Sequence, residues 1–147
     1  MSDLPAAVLF ACTMNSLRSP MAAAILRHLH GHRIYVDSTG VRAREIDGFA
    51  VAVMDEIGID LTDHVAKTFD DLEDSSFDVV ISLSPEAQHT AVEMTRVMAC
   101  EVEFWNTFDP SIVEGSRDAR LNAYRQVRDE LTRRIKERFA MTRAVDV

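Results

Sequence analysis

The sequence predicts an α/β fold, a three-layer αβα sandwich in which helices cover both faces of a four-stranded parallel sheet. Short apolar runs alternate with longer segments of helical periodicity along the 147 residues, a pattern typical of βαβ units. The closing segment spaces its apolar residues as a helix packed on a sheet requires. A hydrophobic content of 47% is sufficient for the core of one domain spanning residues 1–147.

The first strand and the first helix are predicted on either side of a short polar loop. Residues 6–11 (AAVLFA) form a continuous apolar run, which indicates a buried strand. Residues 19–30 carry apolar side chains on one helical face. Pro20 lies in the first turn, where a helix tolerates proline, and Ser19 is the expected N-cap. Residues 12–18, called loop 12–18 below, therefore join a strand to a helix.

The middle of the chain continues the alternation. A second strand is expected near residues 34–37, followed by a helix at 49–57 that Gly58 ends. A short turn of helix is expected around residues 67–72. Residues 77–83 (FDVVISL) then have the continuous apolar character of a buried strand.

The last third of the chain is expected to hold two helices and the fourth strand. Residues 85–97 predict a helix that begins at a proline, and residues 100–104 predict a strand. A long helix closes the fold at residues 116–139, and its apolar residues recur at spacings of three and four. These residues are Leu121, Tyr124, Val127, Leu131, Ile135 and Phe139. The tail after Ala140 is expected to be loosely held.

Composition and charge exclude several functional classes. The net charge of −8 argues against a broad nucleic-acid surface, which needs a basic face. The apolar runs are far shorter than a membrane span and the N-terminus has no signal-type pattern, so we expect a cytoplasmic protein without a membrane partner. The two cysteines, Cys12 and Cys100, permit at most one disulfide, which fits a reducing compartment.

Loop 12–18 (CTMNSLR) carries the candidate chemistry. In open α/β sheets, ligands bind beyond the carboxyl ends of the strands. Backbone N–H groups of such a loop converge on an anion, and the following helix dipole adds positive potential, which favours the thiolate form of Cys12. Arg18 can return across the loop and bind two oxygens of a tetrahedral oxyanion. The residues expected to surround the anion are Thr13, Met14, Asn15, Ser16, Leu17, Arg18 and Ser19.

A structural alternative exists for the same residues. Cys12 could be a small buried hydrophobic residue and Arg18 a solvated residue at a helix start. The context disfavours this alternative, because the segment follows an apolar strand, precedes a Ser-Pro helix start and contains Asn15, which tolerates left-handed backbone geometry. The sequence therefore predicts a phosphate-binding loop after the first strand, with a nucleophile at its base.

The segment VLFACTMNSLRSPMAAAIL resembles the opening of the low-molecular-weight protein tyrosine phosphatases and of their structural relatives, the thioredoxin-coupled arsenate reductases. The likeness covers nearly the whole chain. It continues through DSTG (residues 37–40), GIDLTDHVAK (58–67), FDVVISL (77–83), FDP (108–110) and the final helix. The combination of loop 12–18 with a late Asp-Pro pair is specific to this family.

The resemblance implies a catalytic role for Cys12, Arg18 and Asp109, and a supporting one for Ser19. Cys12 attacks phosphorus and forms a phosphocysteine, while Arg18 and the loop amides stabilise the charge on the phosphoryl oxygens. Ser19 hydrogen-bonds the Cys12 sulfur. Asp109 protonates the departing oxygen and then activates the water that releases phosphate. Without the loop, an Asp before Pro would be interpreted as part of an ordinary turn.

Residues outside the loop are expected to support it or to border its entrance. The resemblance implies that Asn15, Ser38 and His64 brace the loop by side-chain hydrogen bonds, and the alternative for His64 is a surface histidine. Arg42 and Arg44 follow the second strand, where they border the entrance and favour acidic peptides, or are simply solvated.

Five positions depart from the family pattern. Met14 stands where a loop glycine is common, and Leu17 replaces a second loop cysteine. Ser84 stands where many relatives have an acidic residue or a cysteine. Ser111 and Ile112 stand where eukaryotic members often carry tyrosines, so an aromatic clamp for phosphotyrosine is not assured.

The sequence therefore favours a protein tyrosine phosphatase without metal or organic cofactor, acting on a phosphotyrosine-bearing protein or a small phosphomonoester and binding phosphate or a similar oxyanion. An arsenate reductase is the first alternative, but that chemistry needs further thiols. Residues 82–92 (SLSPEAQHTAV), where the relatives carry them, have none, and Cys100 is expected in the core, which leaves a glutathione-type route. A non-catalytic phosphate-binding module is the third option, although it would need neither Cys12 nor Asp109.

Overall fold

A computed structural model describes residues 4–73 and 76–140 and confirms the predicted α/β architecture. Four strands form one parallel sheet in the order β2-β1-β3-β4. Their bounds are β1 Ala7–Cys12, β2 Tyr35–Gly40, β3 Val79–Ser82 and β4 Glu101–Phe104. Every strand lies within a few residues of its predicted position, and the tail after Ala140 lies outside the described residues.

Four α-helices and two short 3-10 turns complete the described fold. The helices are α1 Arg18–His30, α2 Gly48–Asp55, α3 Pro85–Met94 and α4 Arg117–Arg138. One 3-10 turn, Phe69–Asp71, occupies the predicted helical turn, whereas the other, Pro110–Ile112, was not predicted.

The prediction that Ser19 caps the first helix was wrong. Helix α1 begins at Arg18, and its N-cap is Leu17, which makes no side-chain capping hydrogen bond. Ser19 lies inside the first turn and is fully buried. Its hydroxyl contacts the cysteine sulfur, accepts from the Asn15 amide and donates to the Thr39 carbonyl of β2 instead, so the side chain serves the site rather than the helix end.

Both faces of the central strand are covered, which explains its continuous apolar sequence. All six residues of β1 are buried, as expected for a strand with helices on both faces. Val8 and Phe10 belong to a core cluster that includes residues of α1, α2 and α4. Leu9 belongs to a smaller cluster on the other face, together with Ala91 of α3.

The parallel register brings the carboxyl ends of the strands to one edge of the sheet. Cys12 pairs with Gly40 at the ends of β1 and β2, and Ser82 pairs with Phe104 at the ends of β3 and β4. The segments that follow the four strands therefore meet at this edge. Within residues 4–73 and 76–140, no helix is long and apolar enough to cross a membrane.

Candidate active site

The segment after β2 lies along the outside of loop 12–18 and donates hydrogen bonds to the carbonyl groups of the loop. Four backbone N–H groups donate to loop carbonyl oxygens: Val41 to Cys12 (3.1 Å), Arg42 to Thr13 (2.8 Å), Arg44 to Met14 (3.1 Å) and Asp47 to Ser16 (2.9 Å). The ring Nε2 of His64 donates to the carbonyl of Asn15 at 2.9 Å, so each carbonyl of residues 12–16 has a donor from outside the loop. Since a trans peptide directs its N–H opposite its C=O, the N–H groups of residues 13–17 point inward. Inward-pointing consecutive amides form an anion site.

Asn15 connects the loop to three neighbouring segments. Its φ of 52° is the left-handed geometry that the sequence anticipated. The amide Nδ2 donates to the hydroxyls of Ser19 (2.9 Å) and Ser38 (3.0 Å), and Oδ1 accepts from the backbone N–H of Lys67 (3.0 Å). Among the described residues, Asn15 is the only non-glycine with positive φ, so Met14 does not need a glycine-like conformation.

The sulfur of Cys12 lies at the base of the loop and is almost fully buried. The hydroxyl of Ser19 lies 2.9 Å from Sγ, and the backbone N–H of Ser19 donates to Sγ at 3.4 Å. A neutral thiol would donate to this hydroxyl, whereas a thiolate would accept from both groups. The sulfur therefore lies at the N-terminus of α1, within hydrogen-bond distance of two groups of Ser19.

Arg18 is only 9% exposed and is anchored on one side. Its NH1 group donates to the backbone carbonyl of Thr107 at 3.0 Å. Among the side chains that the structure describes, Arg18 Nε is the one buried polar atom without a hydrogen-bond partner. Burial of an unpaired donor costs about 1–3 kcal/mol. An oxyanion in the cleft would give this N–H the acceptor that the protein does not supply.

Asp109 shares a cleft with the cysteine and the arginine. The cleft has a volume of about 180 Å³, and Arg44 and Ser111 also line it. Asp109 accepts hydrogen bonds from the Ser111 N–H (3.0 Å) and hydroxyl (2.7 Å), both at Oδ1. The residue therefore caps the turn Pro110–Ile112 with one oxygen and leaves Oδ2 outside that turn. Asp109 can for this reason be part of an ordinary turn and still act as an acid.

The predicted anion-binding set divides into lining and supporting residues. Thr13, Met14, Ser16, Leu17 and Arg18 line the cleft. Asn15 and Ser19 are not among the residues that line it. Both side chains are fully buried behind the loop, where their hydrogen bonds fix its shape.

His64 lies against the loop rather than free on the surface. Burial lowers the pKa of His64 below its ordinary value, and the positive charges of Lys67 and Arg27 lower it further, while the hydrogen bond to the Asn15 carbonyl and the charge of Asp37 oppose the shift. The neutral ring with a proton on Nε2 is therefore favoured, and this tautomer donates to the loop.

Three residues that sequence reasoning did not assign to the site contribute to its geometry. A Cβ at Gly40 would lie 2.5 Å from the Arg42 carbonyl oxygen and 2.7 Å from the Asn15 nitrogen, so only glycine fits there. Ser84 caps α3 and accepts a hydrogen bond from the Thr13 hydroxyl at 3.0 Å. Thr107 acts through a backbone carbonyl, which has no signal in the side-chain sequence.

The second cysteine lies at the other edge of the sheet. Cys100 immediately precedes β4, in line with the start of β1, so about five residues of strand, or roughly 16 Å, separate it from Cys12 along the sheet. It is half-buried, and burial raises the pKa of its thiol. In the described part of the chain, no group of three or more His, Cys, Asp or Glu side chains could hold a metal ion.

Comparison with known proteins adds sequence and structural relatives. Residues 7–144 match the family model described as low molecular weight phosphotyrosine protein phosphatase. Arsenate reductases of Shouchella clausii and Halalkalibacterium halodurans are 33% and 34% identical to the chain, over 92% of its length and 95% of theirs. The solved low molecular weight protein tyrosine phosphatase from T. tengcongensis superimposes with a TM-score of 0.74 and 28% identity, covering 90% of this chain and 96% of that one.

Proposed function

Because this chain belongs to the low molecular weight phosphotyrosine protein phosphatase family, we propose that it hydrolyses phosphomonoesters, with phosphotyrosine-bearing proteins as the substrate class. The observation that carries this proposal is that Asp109 shares one cleft with Cys12 and Arg18. A phosphatase needs a nucleophile, an oxyanion clamp and an acid at the same phosphoryl group. A pure phosphate-binding module needs neither the thiol nor the acid.

In the first step, the Cys12 thiolate attacks phosphorus. An S–P bond forms, the P–O bond to the leaving group breaks, and Asp109 gives its proton to the departing oxygen. The inward amides of residues 13–17 and the Arg18 guanidinium hold the three phosphoryl oxygens while charge develops on them. The unpartnered Nε of Arg18 supports this role.

In the second step, water releases the phosphate. The Asp109 carboxylate takes a proton from water, the water oxygen bonds to phosphorus, and the S–P bond breaks to give inorganic phosphate and the Cys12 thiolate. The hydroxyl and N–H of Ser19, 2.9 and 3.4 Å from Sγ, stabilise the sulfur as it leaves. The enzyme returns to its starting protonation state.

Arsenate reduction is the second candidate, because the relatives from Shouchella clausii and Halalkalibacterium halodurans carry that name. Arsenate has the shape of phosphate and would bind the same loop. Its reduction to arsenite takes two electrons, which two thiols supply by forming one disulfide. Cys100 lies at the opposite edge of the sheet, so the second thiol would come from an external donor of the glutathione class, through a mixed disulfide at Cys12. Asp109 has no assigned part in that reaction.

Turnover of two esters with different leaving groups tests the proposal. The wild type should hydrolyse both p-nitrophenyl phosphate and phenyl phosphate. Asp109→Asn should lower kcat by about 10²- to 10⁴-fold, with the larger loss on phenyl phosphate, whose leaving oxygen needs the proton more. Asp70→Asn is the matched control, since Asp70 is exposed and is not among the residues that line the cleft.

The same preparation should be assayed for arsenite release from arsenate with added glutathione. Arsenite release without ester hydrolysis would replace the phosphatase proposal by the reductase. Phosphate binding without either reaction would leave the non-catalytic module.

A further inference from the structure

Arg44 is a cation at the cleft that the proposed chemistry does not use. The residue lines the same cleft as Cys12 and Arg18. Its backbone N–H donates to the Met14 carbonyl at 3.1 Å, so its main chain is held directly against loop 12–18. The residue is exposed, which leaves the guanidinium within reach of a group bound at the entrance.

The neighbouring arginine, Arg42, is already part of an ion pair. Arg42 donates to both carboxylate oxygens of Glu86, at 2.8 and 3.0 Å, so its charge is already matched. Across the described residues, the Arg44 guanidinium takes part in no such ion pair or side-chain hydrogen bond. Of these two arginines, Arg44 is therefore the one whose guanidinium is left to pair with a group of the substrate.

Because the whole protein is acidic, a positive side chain beside the cleft affects which substrates bind there. At a net charge of −8, the molecule repels an acidic peptide at long range. A guanidinium beside the phosphate site offsets this repulsion at short range and pairs with carboxylates through its planar fork of donors. The cleft of about 180 Å³ is small for a peptide, so residues flanking the phosphorylated one would lie at its rim, where Arg44 stands.

We propose that Arg44 is a specificity-determining residue that binds the carboxylate of an Asp or Glu next to the phosphorylated residue of the substrate. This proposal rests on the proposed phosphatase function. Because the contact is exposed to solvent, the expected selectivity is modest, about two- to fivefold in kcat/KM for an acidic over a neutral peptide. The preference should weaken as salt screens the pair.

The test uses two phosphotyrosyl peptides that differ only in having Glu or Gln beside the phosphotyrosine. The wild type, Arg44→Gln and Arg42→Gln are compared by the ratio of kcat/KM for the Glu peptide to that for the Gln peptide. Arg44→Gln should lower the ratio about two- to fivefold, mainly through KM. Arg42→Gln should leave the ratio unchanged, because Glu86 already holds that side chain.

The outcomes separate this inference from the function on which it rests. Hydrolysis of both peptides with the same ratio in the wild type and in Arg44→Gln overturns the role of Arg44 and leaves the phosphatase intact. An equal fall in the ratio for Arg42→Gln also overturns it, since a general loss of positive charge would then explain the effect. If the wild type hydrolyses neither peptide nor p-nitrophenyl phosphate, both proposals fail.

Discussion

The two edges of the sheet contain similar residue types in different surroundings. At the carboxyl edge, Cys12, Arg18 and Asp109 line a cleft of about 180 Å³. At the amino edge, Cys100 and Arg138, with neighbouring carboxylates, line a larger one of about 540 Å³. The larger cleft has a thiol, a guanidinium and acids, yet they are not organised around one point. Neither residue composition nor cleft size therefore makes a site.

Two charged side chains of the amino edge, Asp78 and Arg138, already have partners within the protein. Asp78 accepts hydrogen bonds from two backbone N–H groups at the start of β1, each at 2.9 Å. Arg138 pairs with Glu103 at 2.7 Å, and burial raises the pKa of the Cys100 thiol. At the carboxyl edge, by contrast, the loop carbonyls are bound from outside and the donors point inward. The direction of unsatisfied donors distinguishes the two edges.

Replacement of the cysteine at each edge by serine should give the largest difference in kcat between the two edges. Cys12→Ser should lower kcat for p-nitrophenyl phosphate by a factor on the order of 10⁴ or more, because a serine hydroxyl is not ionised at neutral pH. Phosphate binding, measured by calorimetry, should persist. Cys100→Ser is the matched control and should retain wild-type turnover. Loss of turnover in Cys100→Ser would mean that the amino edge takes part in the reaction.

A methyl group added at the carboxyl edge should reveal how tightly the loop is packed. Gly40→Ala should lower the free energy of unfolding by about 1–3 kcal/mol and weaken phosphate binding, because its Cβ would meet backbone atoms at 2.5 and 2.7 Å. Urea denaturation measures the first effect. Gly48→Ala is the control, since a Cβ there has no heavy atom within 4 Å. Equal stability of Gly40→Ala and wild type would show that the loop is softer than its contacts indicate.

Alkylation should distinguish the two thiols directly. We expect iodoacetamide to modify Cys12 faster than Cys100 by about tenfold near pH 7, because the thiolate is the reactive form and burial raises the pKa of the Cys100 thiol. Mass spectrometry of the two peptides over time gives both rates. Added phosphate should slow the reaction of Cys12 alone. Faster modification of Cys100 would contradict the contrast between the edges.

The smallest expected effect concerns pH and His64. Its pKa is lowered in the folded state, whereas in the unfolded chain it is about 6.5. The unfolded state therefore binds the proton more readily, so stability is fully present above this value and falls as pH drops through it. His64→Gln removes the titration and should lose less stability between pH 7.5 and 5.5 than the wild type in urea unfolding. Identical losses would mean that His64 does not contribute to the pH dependence.

Much of the fold could be predicted because each strand and helix is specified by residues that are close together in the sequence. The continuous apolar run of β1 and the stripe along α4 are visible without tertiary information. The element ends were less predictable: β2 extends to Gly40 and α3 stops at Met94. The turn at Pro110–Ile112 was considered only as the alternative to an acid at Asp109, because such a short turn has no periodicity to detect.

The site was predictable where a residue type carries the chemistry. Cys12, Arg18 and Asp109 were named from the sequence and its family resemblance, and they line one cleft. The Thr107 carbonyl could not be named, because any residue supplies the same group. Ser19 was wrongly predicted to cap the helix, but the family resemblance also predicted its contact with the cysteine sulfur, which the structure contains.

The sequence by itself determined the order of strands and helices along the chain, the position of Cys12 and Arg18 on the loop between the first strand and the first helix, and the absence of a second thiol beside them. Only the tertiary structure decided that Asp109 reaches the cleft, that Arg42 is paired while Arg44 is not, and that the loop amides point inward. The physical reason is distance along the chain: periodicity and turn chemistry act within a few residues. The bonds that orient loop 12–18 come from segments about 25 to 90 positions away, which meet only when the sheet forms.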